Sequence, residues 1–137
     1  IACVVARGIH HLGVAVTDLD AALETYERCF GAELEHRAVV EEQGVEAAAI
    51  LVCTSRIELL APLGAESPVG RFLASRGPGM HHVAYEVDDV RTAIDSLSAE
   101  GAELIDEEPR AGLFGLQVAF VHPDAVHGVL TEVVSVG

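Results

Sequence analysis

From His10 to Val16 the side chains alternate, His11, Gly13 and Ala15 falling on one side and His10, Leu12, Val14 and Val16 on the other. A period of two predicts a strand, and the His11 side is lined with small residues that leave room beside the imidazole. The period then changes. Leu19, Ala22, Leu23, Tyr26 and Phe30 recur at helical spacing, Thr17 or Asp18 can cap, and Gly31 can end the helix in a left-handed turn. Strands are predicted over Glu33 to Val40, Val45 to Cys53 and Arg56 to Ala61, broken by Glu41-Glu42-Gln43-Gly44 and by Thr54-Ser55. Ser67 and Pro68 then open a short helix that Gly77-Pro78-Gly79 closes.

The pattern starts again in the second half. His82 to Val87 predicts a strand, followed by a helix capped by Asp88 or Asp89, with Val90, Ala93, Ile94 and Leu97 inward and Gly101 as its stop. Strands are expected near Glu103 to Glu107, Gln117 to His122 and Val129 to Val134. Between the first two lies Pro109-Arg110-Ala111-Gly112-Leu113-Phe114-Gly115, a loop whose glycines allow close approach to a ligand. The residues themselves repeat. Ile9-His10-His11-Leu12-Gly13-Val14-Ala15-Val16-Thr17-Asp18-Leu19 returns as Met80-His81-His82-Val83-Ala84-Tyr85-Glu86-Val87-Asp88-Asp89-Val90, and Gly31-Ala32-Glu33-Leu34 returns as Gly101-Ala102-Glu103-Leu104. Two copies of one supersecondary unit explain both repeats. The expected class is α+β: two βαβββ modules forming a curled mixed β-sheet around a common cleft. We read residues 1–137 as one domain of two repeats, about 8–64 and 80–136, joined by a helical linker at 66–77.

Composition narrows the functional classes. Half the residues are hydrophobic, enough for a packed core. No apolar run approaches the roughly 20 residues needed to span a bilayer, and no signal-peptide pattern precedes the first repeat. A formal charge of -14, from 22 acidic against 8 basic residues, opposes nucleic-acid binding and attachment to an anionic membrane. An anionic substrate would need a local positive site. Cys3, Cys29 and Cys53 have no metal-finger spacing, which fits a reducing cytoplasm.

Each repeat opens with a histidine on a small-residue face, His11 and His82. Each closes on an apolar strand with an acid at its centre, Glu58 in Arg56-Ile57-Glu58-Leu59-Leu60 and Glu132 in Leu130-Thr131-Glu132-Val133-Val134. Taken singly, a strand histidine more often packs or meets solvent, and a strand glutamate can simply face water. Four such residues at repeat-related places point instead to a divalent cation, which would offset the cost of burying the acids. His10 and His81 are expected to be structural or to support the ligands, and His36, His122 and His127 to lie in turns or on the surface.

These residues resemble a known family. His11-Leu12-Gly13-Val14-Ala15-Val16 with Asp18-Leu19, and its His82 copy, look like the vicinal-oxygen-chelate (glyoxalase/bleomycin resistance/dioxygenase) superfamily. Glu42-Gln43-Gly44-Val45, Ile57 to Leu63, Asp106 to Arg110, His122-Pro123 and His127 to Glu132 are similar to its methylmalonyl-CoA epimerase family. The resemblance implies a metal held by His11, Glu58, His82 and Glu132, and interconversion of (2R)- and (2S)-methylmalonyl-CoA through proton abstraction at C2, with the enolate stabilised on the metal. It also implies a homodimer. Co, Mn, Ni, Zn or Fe suits such donors. Glu132 is the first candidate base and Glu46 the second. Ala47 stands where some members have a glutamate, and Glu46, one residue earlier, falls on the other face unless a bulge corrects it. The family often has Lys after His-Pro, where this chain has Asp124, so Arg110 becomes a candidate cation for the coenzyme A tail. The alternatives are a glyoxalase-type isomerase and a metal-free small-molecule binding or resistance protein of the same fold.

Overall fold

A computed structural model describes residues 5–136; Cys3 lies outside them. The described residues divide into two compact units, one spanning 11–81 and one made of the residues on either side of it.

In the 11–81 unit, β1 (Gly8–Ala15) enters at His11 and is followed by α1 (Leu19–Phe30), β2 (Glu33–Val40), β3 (Val45–Val52), β4 (Ser55–Pro62) and α2 (Pro68–Arg76). β4 is central, running parallel to β1 and antiparallel to β3, and β2 adds to the far side of β3. The predicted caps form. The Asp18 carboxylate accepts from the Ala21 N–H at 3.0 Å, and Gly31 takes the left-handed conformation at φ 67°. α1 buries Leu19 and Leu23 against Ala32, Ala48, Ile50 and Leu59. Each aliphatic side chain buried there contributes roughly 1.5–3 kcal/mol. On α2, Ser67 caps the helix by accepting from the Gly70 N–H at 3.1 Å. Gly70 is required, because a Cβ there would run into the carbonyl oxygens of Gly64 and Ala65.

In the other unit, β5 (Gly79–Glu86) enters at His82 and leads to α3 (Val90–Ala99), β6 (Arg110–Ala111), β7 (Gln117–Val121) and β8 (Thr131–Ser135). β8 runs parallel to β5 and antiparallel to β7, and β6 adds to the far side of β7. Asp89, not Asp88, caps α3 through the Thr92 N–H and hydroxyl; Asp88 instead holds Arg7 at 2.8 Å. Val90, Ala93 and Ile94 pack on Ala119 and Val133. α3 closes at Glu100, with Gly101 following at φ 83°.

Each unit is thus one βαβββ module of the expected α+β class, with one correction. The strand expected near Glu103 to Glu107 does not form; Leu104 makes an isolated bridge to Val121, and β6 begins only at Arg110. The cause is Asp106. Its carboxylate accepts from the Phe120 N–H at 2.9 Å while the Ile105 and Asp106 N–H groups both donate to the Phe120 carbonyl. A side chain occupying a ladder position leaves the backbone no regular register, and Pro109 adds a residue without an N–H donor.

Candidate metal-binding pairs

The register of β1 against β4 decides where the first candidates lie. Gly13 pairs with Glu58, so His11, Gly13, Ala15 and Glu58 share one face, while Leu12, Val14, Ile57 and Leu59 share the face that α1 covers. His11 is 3% exposed and Glu58 5%, and the His11 Nε2 stands 3.5 Å from a Glu58 carboxylate oxygen. Across β3, Ala49 lies opposite Glu58, and Ala47 is the next residue on that face.

The second unit builds the same pair. Ala84 pairs with Glu132 in the β5/β8 register, which sets His82, Ala84 and Glu132 on one face. His82 Nε2 lies 3.7 Å from Glu132, and both side chains are buried. Here the residue opposite the acid is Phe120, whose ring meets the His82 imidazole edge-on at 5.3 Å.

In each unit the acid's strand partner is thus the residue two places after the histidine. Both separations exceed the usual range for an N–H···O hydrogen bond. They suit two ligands of one ion, since donors about 2.1 Å from a tetrahedral cation stand about 3.4 Å apart. Each pair is buried, where an ionised carboxylate is costly without compensation. The donor chemistry and the spacing therefore fit a divalent metal.

Residues 10–120 match the family model of the glyoxalase/bleomycin resistance protein/dioxygenase superfamily. The mitochondrial methylmalonyl-CoA epimerase of Dictyostelium discoideum is 35% identical over 125 residues, covering 90% of this chain and 75% of the relative. The crystal structure of methylmalonyl-CoA epimerase from Mycobacterium tuberculosis superposes with a TM-score of 0.94 at 34% identity, covering 100% of this chain and 93% of that one. A variant of the Streptomyces coelicolor methylmalonyl-CoA epimerase, in complex with 2-nitronate-propionyl-CoA, gives a TM-score of 0.92 at 38% identity, covering 96% and 98%. This chain belongs to the methylmalonyl-CoA epimerase family of that superfamily.

Among the candidate residues outside the two pairs, Glu46 is the most informative. It sits on β3 opposite Ala61, on the face that α1 covers, and its carboxylate holds the Arg37 guanidinium at 3.0 Å. Arg37 also reaches Asp20 on α1. No bulge interrupts β3 against β4, so Ala47, not Glu46, shares the Glu58 face. His36 departs from its expected place in a turn or on the surface. It is half-buried on β2 opposite Ala49, because a register shift between Leu34 and His36 turns it to the Glu58 face. His122 caps a 3-10 turn by accepting from the Asp124 N–H, and His127 closes that turn at φ 63°. His10 is buried. His81 packs edge-on against Phe72 at 5.0 Å, and burial pushes its imidazole down to about 4. Arg110 is held by Asp106 at 3.3 Å. The sequence placed α2 between Ser67 and Gly77 but gave its arginines no role; they are taken up below.

Proposed function

We propose that this protein is an isomerase that interconverts the C2 epimers of methylmalonyl-CoA, with the His11–Glu58 and His82–Glu132 pairs sharing one divalent cation. The observation that carries the reading is the buried His–Glu pair built twice in the same register, in a chain of the epimerase family. His11, His82 and Glu132 are groups of the kind that could hold a metal ion. A cation bound there would act as a Lewis acid on the thioester and carboxylate oxygens, stabilising negative charge as the C2 proton leaves. The Streptomyces relative's acyl-CoA analogue supports a coenzyme A thioester as ligand.

The chain's own groups would handle the proton. Glu132 is the base we assign: a buried carboxylate reaches a carbon acid with little competing water. Epimerisation also requires delivery to the opposite face of C2. Glu46 could serve only by releasing Arg37 and crossing to the other side of β3, so we assign that delivery to a water. The loop at Gly112–Gly115 would offer backbone N–H groups to the substrate carboxylate. We also infer a homodimer acting in the cytoplasm, in keeping with the free thiols of Cys29 and Cys53. Among the described residues no helix is long and apolar enough to cross a membrane.

The test is deuterium wash-in at C2 of methylmalonyl-CoA in D2O, with elemental analysis of the purified protein. Enzyme-dependent exchange that disappears on chelation and returns with metal is expected. Exchange no faster than in buffer would end the epimerase reading, and full activity without any bound metal would end the shared-cation reading.

A further inference from the structure

We propose that Arg71 and Arg76 of α2 bind the phosphate groups of the substrate's coenzyme A tail, an inference that rests on the acyl-CoA reading above. All eight basic residues of the chain are arginines. Six are held by carboxylates: Arg7 by Asp88, Arg28 by Glu24, Arg37 by Asp20 and Glu46, Arg56 by Glu35, Arg91 by Glu108, and Arg110 by Asp106. Among the described residues, Arg71 and Arg76 are the two guanidiniums with no carboxylate partner, and both are exposed. In a chain of net charge -14 the general field repels a polyanion, so its phosphates must find a local cation.

The geometry gives these two a common support. α2 is fixed from below by the Gly70 contact with the Gly64–Ala65 backbone and from its start by Ser67. Arg76 lies over the Phe72 ring, its guanidinium carbon 5.7 Å from the centroid, and the same ring abuts His81. His81 directly precedes the candidate ligand His82. The helix therefore packs beside β5 on the His81 side, the face opposite the candidate ligand His82, and its two arginines are exposed to solvent. Guanidinium forks suit phosphate oxygens, which they meet with two parallel N–H bonds. Arg110, the cation that the sequence singled out, is already engaged by Asp106.

The experiment compares two thioesters in metal-loaded enzyme: methylmalonyl-CoA, and methylmalonyl-pantetheine, which lacks the phosphates. Arg71→Ala with Arg76→Ala should raise KM for the CoA substrate on the order of 30-fold, the effect of losing charge-assisted contacts, with kcat unchanged. KM for the pantetheine thioester should not move, and Arg71→Lys with Arg76→Lys should recover part of the loss. Added salt should raise the wild-type KM for the CoA substrate more than the variant's. Calorimetry with coenzyme A alone supplies a readout independent of turnover, expected to show binding by wild type and its loss in the double alanine variant. An unchanged KM, an equal rise with both thioesters, or coenzyme A binding unaffected by the substitutions would overturn the inference. Wild type that exchanges C2 of neither thioester would count against the epimerase reading instead, leaving coenzyme A binding to decide the arginines.

Discussion

The two modules place their His–Glu pairs in the same register yet line them differently. Around Glu58 the facing positions are small: Gly13, Ala15, Ala47 and Ala49. Around Glu132 they are Ala84, Phe120 and Val118, with Val134 and Leu116 packed beside them. The donor set is duplicated and the lining is not. The metal proposed above asks for equivalent ligands in each module, whereas the packing around them is free to diverge.

That difference predicts unequal roles for the two acids, and the largest effect follows from it. Glu132→Gln should lower kcat about 10³-fold, since it removes the proposed base as well as a ligand charge. Glu58→Gln keeps an oxygen donor and removes no proton-transfer group, so a loss of about tenfold is expected, recoverable with added metal. Steady-state epimerisation measured across metal concentrations separates the two. Equal losses would mean that the acids are equivalent, and the division of labour would fall.

The linings give the next effect. Phe120→Ala leaves a gap beside the His82 ring and should destabilise the protein by about 2–3 kcal/mol, below the full-burial figure because Phe120 is only half-buried. The reciprocal Ala49→Phe puts a ring at a position that is 0% exposed, and should cost about 1–3 kcal/mol. Urea unfolding checks both. A neutral Ala49→Phe would show that the facing positions are interchangeable after all.

A smaller effect sits on His81. Burial holds its imidazole near 4, whereas an unfolded histidine titrates near 6.5. Between those values the unfolded chain binds the extra proton, so stability rises with pH, is complete above about 6.5 and is lost as pH falls toward 4. His81→Phe should flatten that part of the profile, measured as Tm against pH on chelator-treated protein so that metal release does not contribute. An unchanged slope would place the acid sensitivity elsewhere.

Much of this architecture was legible because short-range chemistry and packing agree. The alternation from His10 to Val16 put His11 on the small-residue face, and Asp18 and Gly31 bounded α1 where the helical period began and ended. The apolar strands around Glu58 and Glu132 were equally plain. What escaped depended on contacts distant in sequence. The Asp106 carboxylate replaces a ladder bond with Phe120, 14 residues away, and no local pattern marks that exchange. His36 reaches the Glu58 face through a register shift that its own strand does not announce. For Glu46, alternation alone already indicated the wrong face; the structure adds Arg37, which supplies the reason for the glutamate to be there.

The smallest contrast between the modules lies at their helix caps. Asp18 accepts one backbone N–H at the start of α1, from Ala21. Asp89 accepts both the N–H and the hydroxyl of Thr92 at the start of α3, at 2.8 and 2.7 Å. The Thr92 hydroxyl, with the backbone N–H second, holds the Asp89 carboxyl below its ordinary range. A carboxylate so lowered contributes its stabilisation fully above the unfolded value near 3.9 and loses it as pH falls through the folded value. Asp89→Ala should therefore lower Tm by a few degrees at neutral pH, and Asp18→Ala by somewhat less. The gap between the two variants should close below pH 4, as the Asp89 carboxyl becomes protonated in both the folded and the unfolded chain. Thermal unfolding of the two variants at neutral and acid pH would read this directly. Equal shifts at neutral pH would show that the Thr92 hydroxyl adds nothing to the cap, and that the two helices start on equal terms.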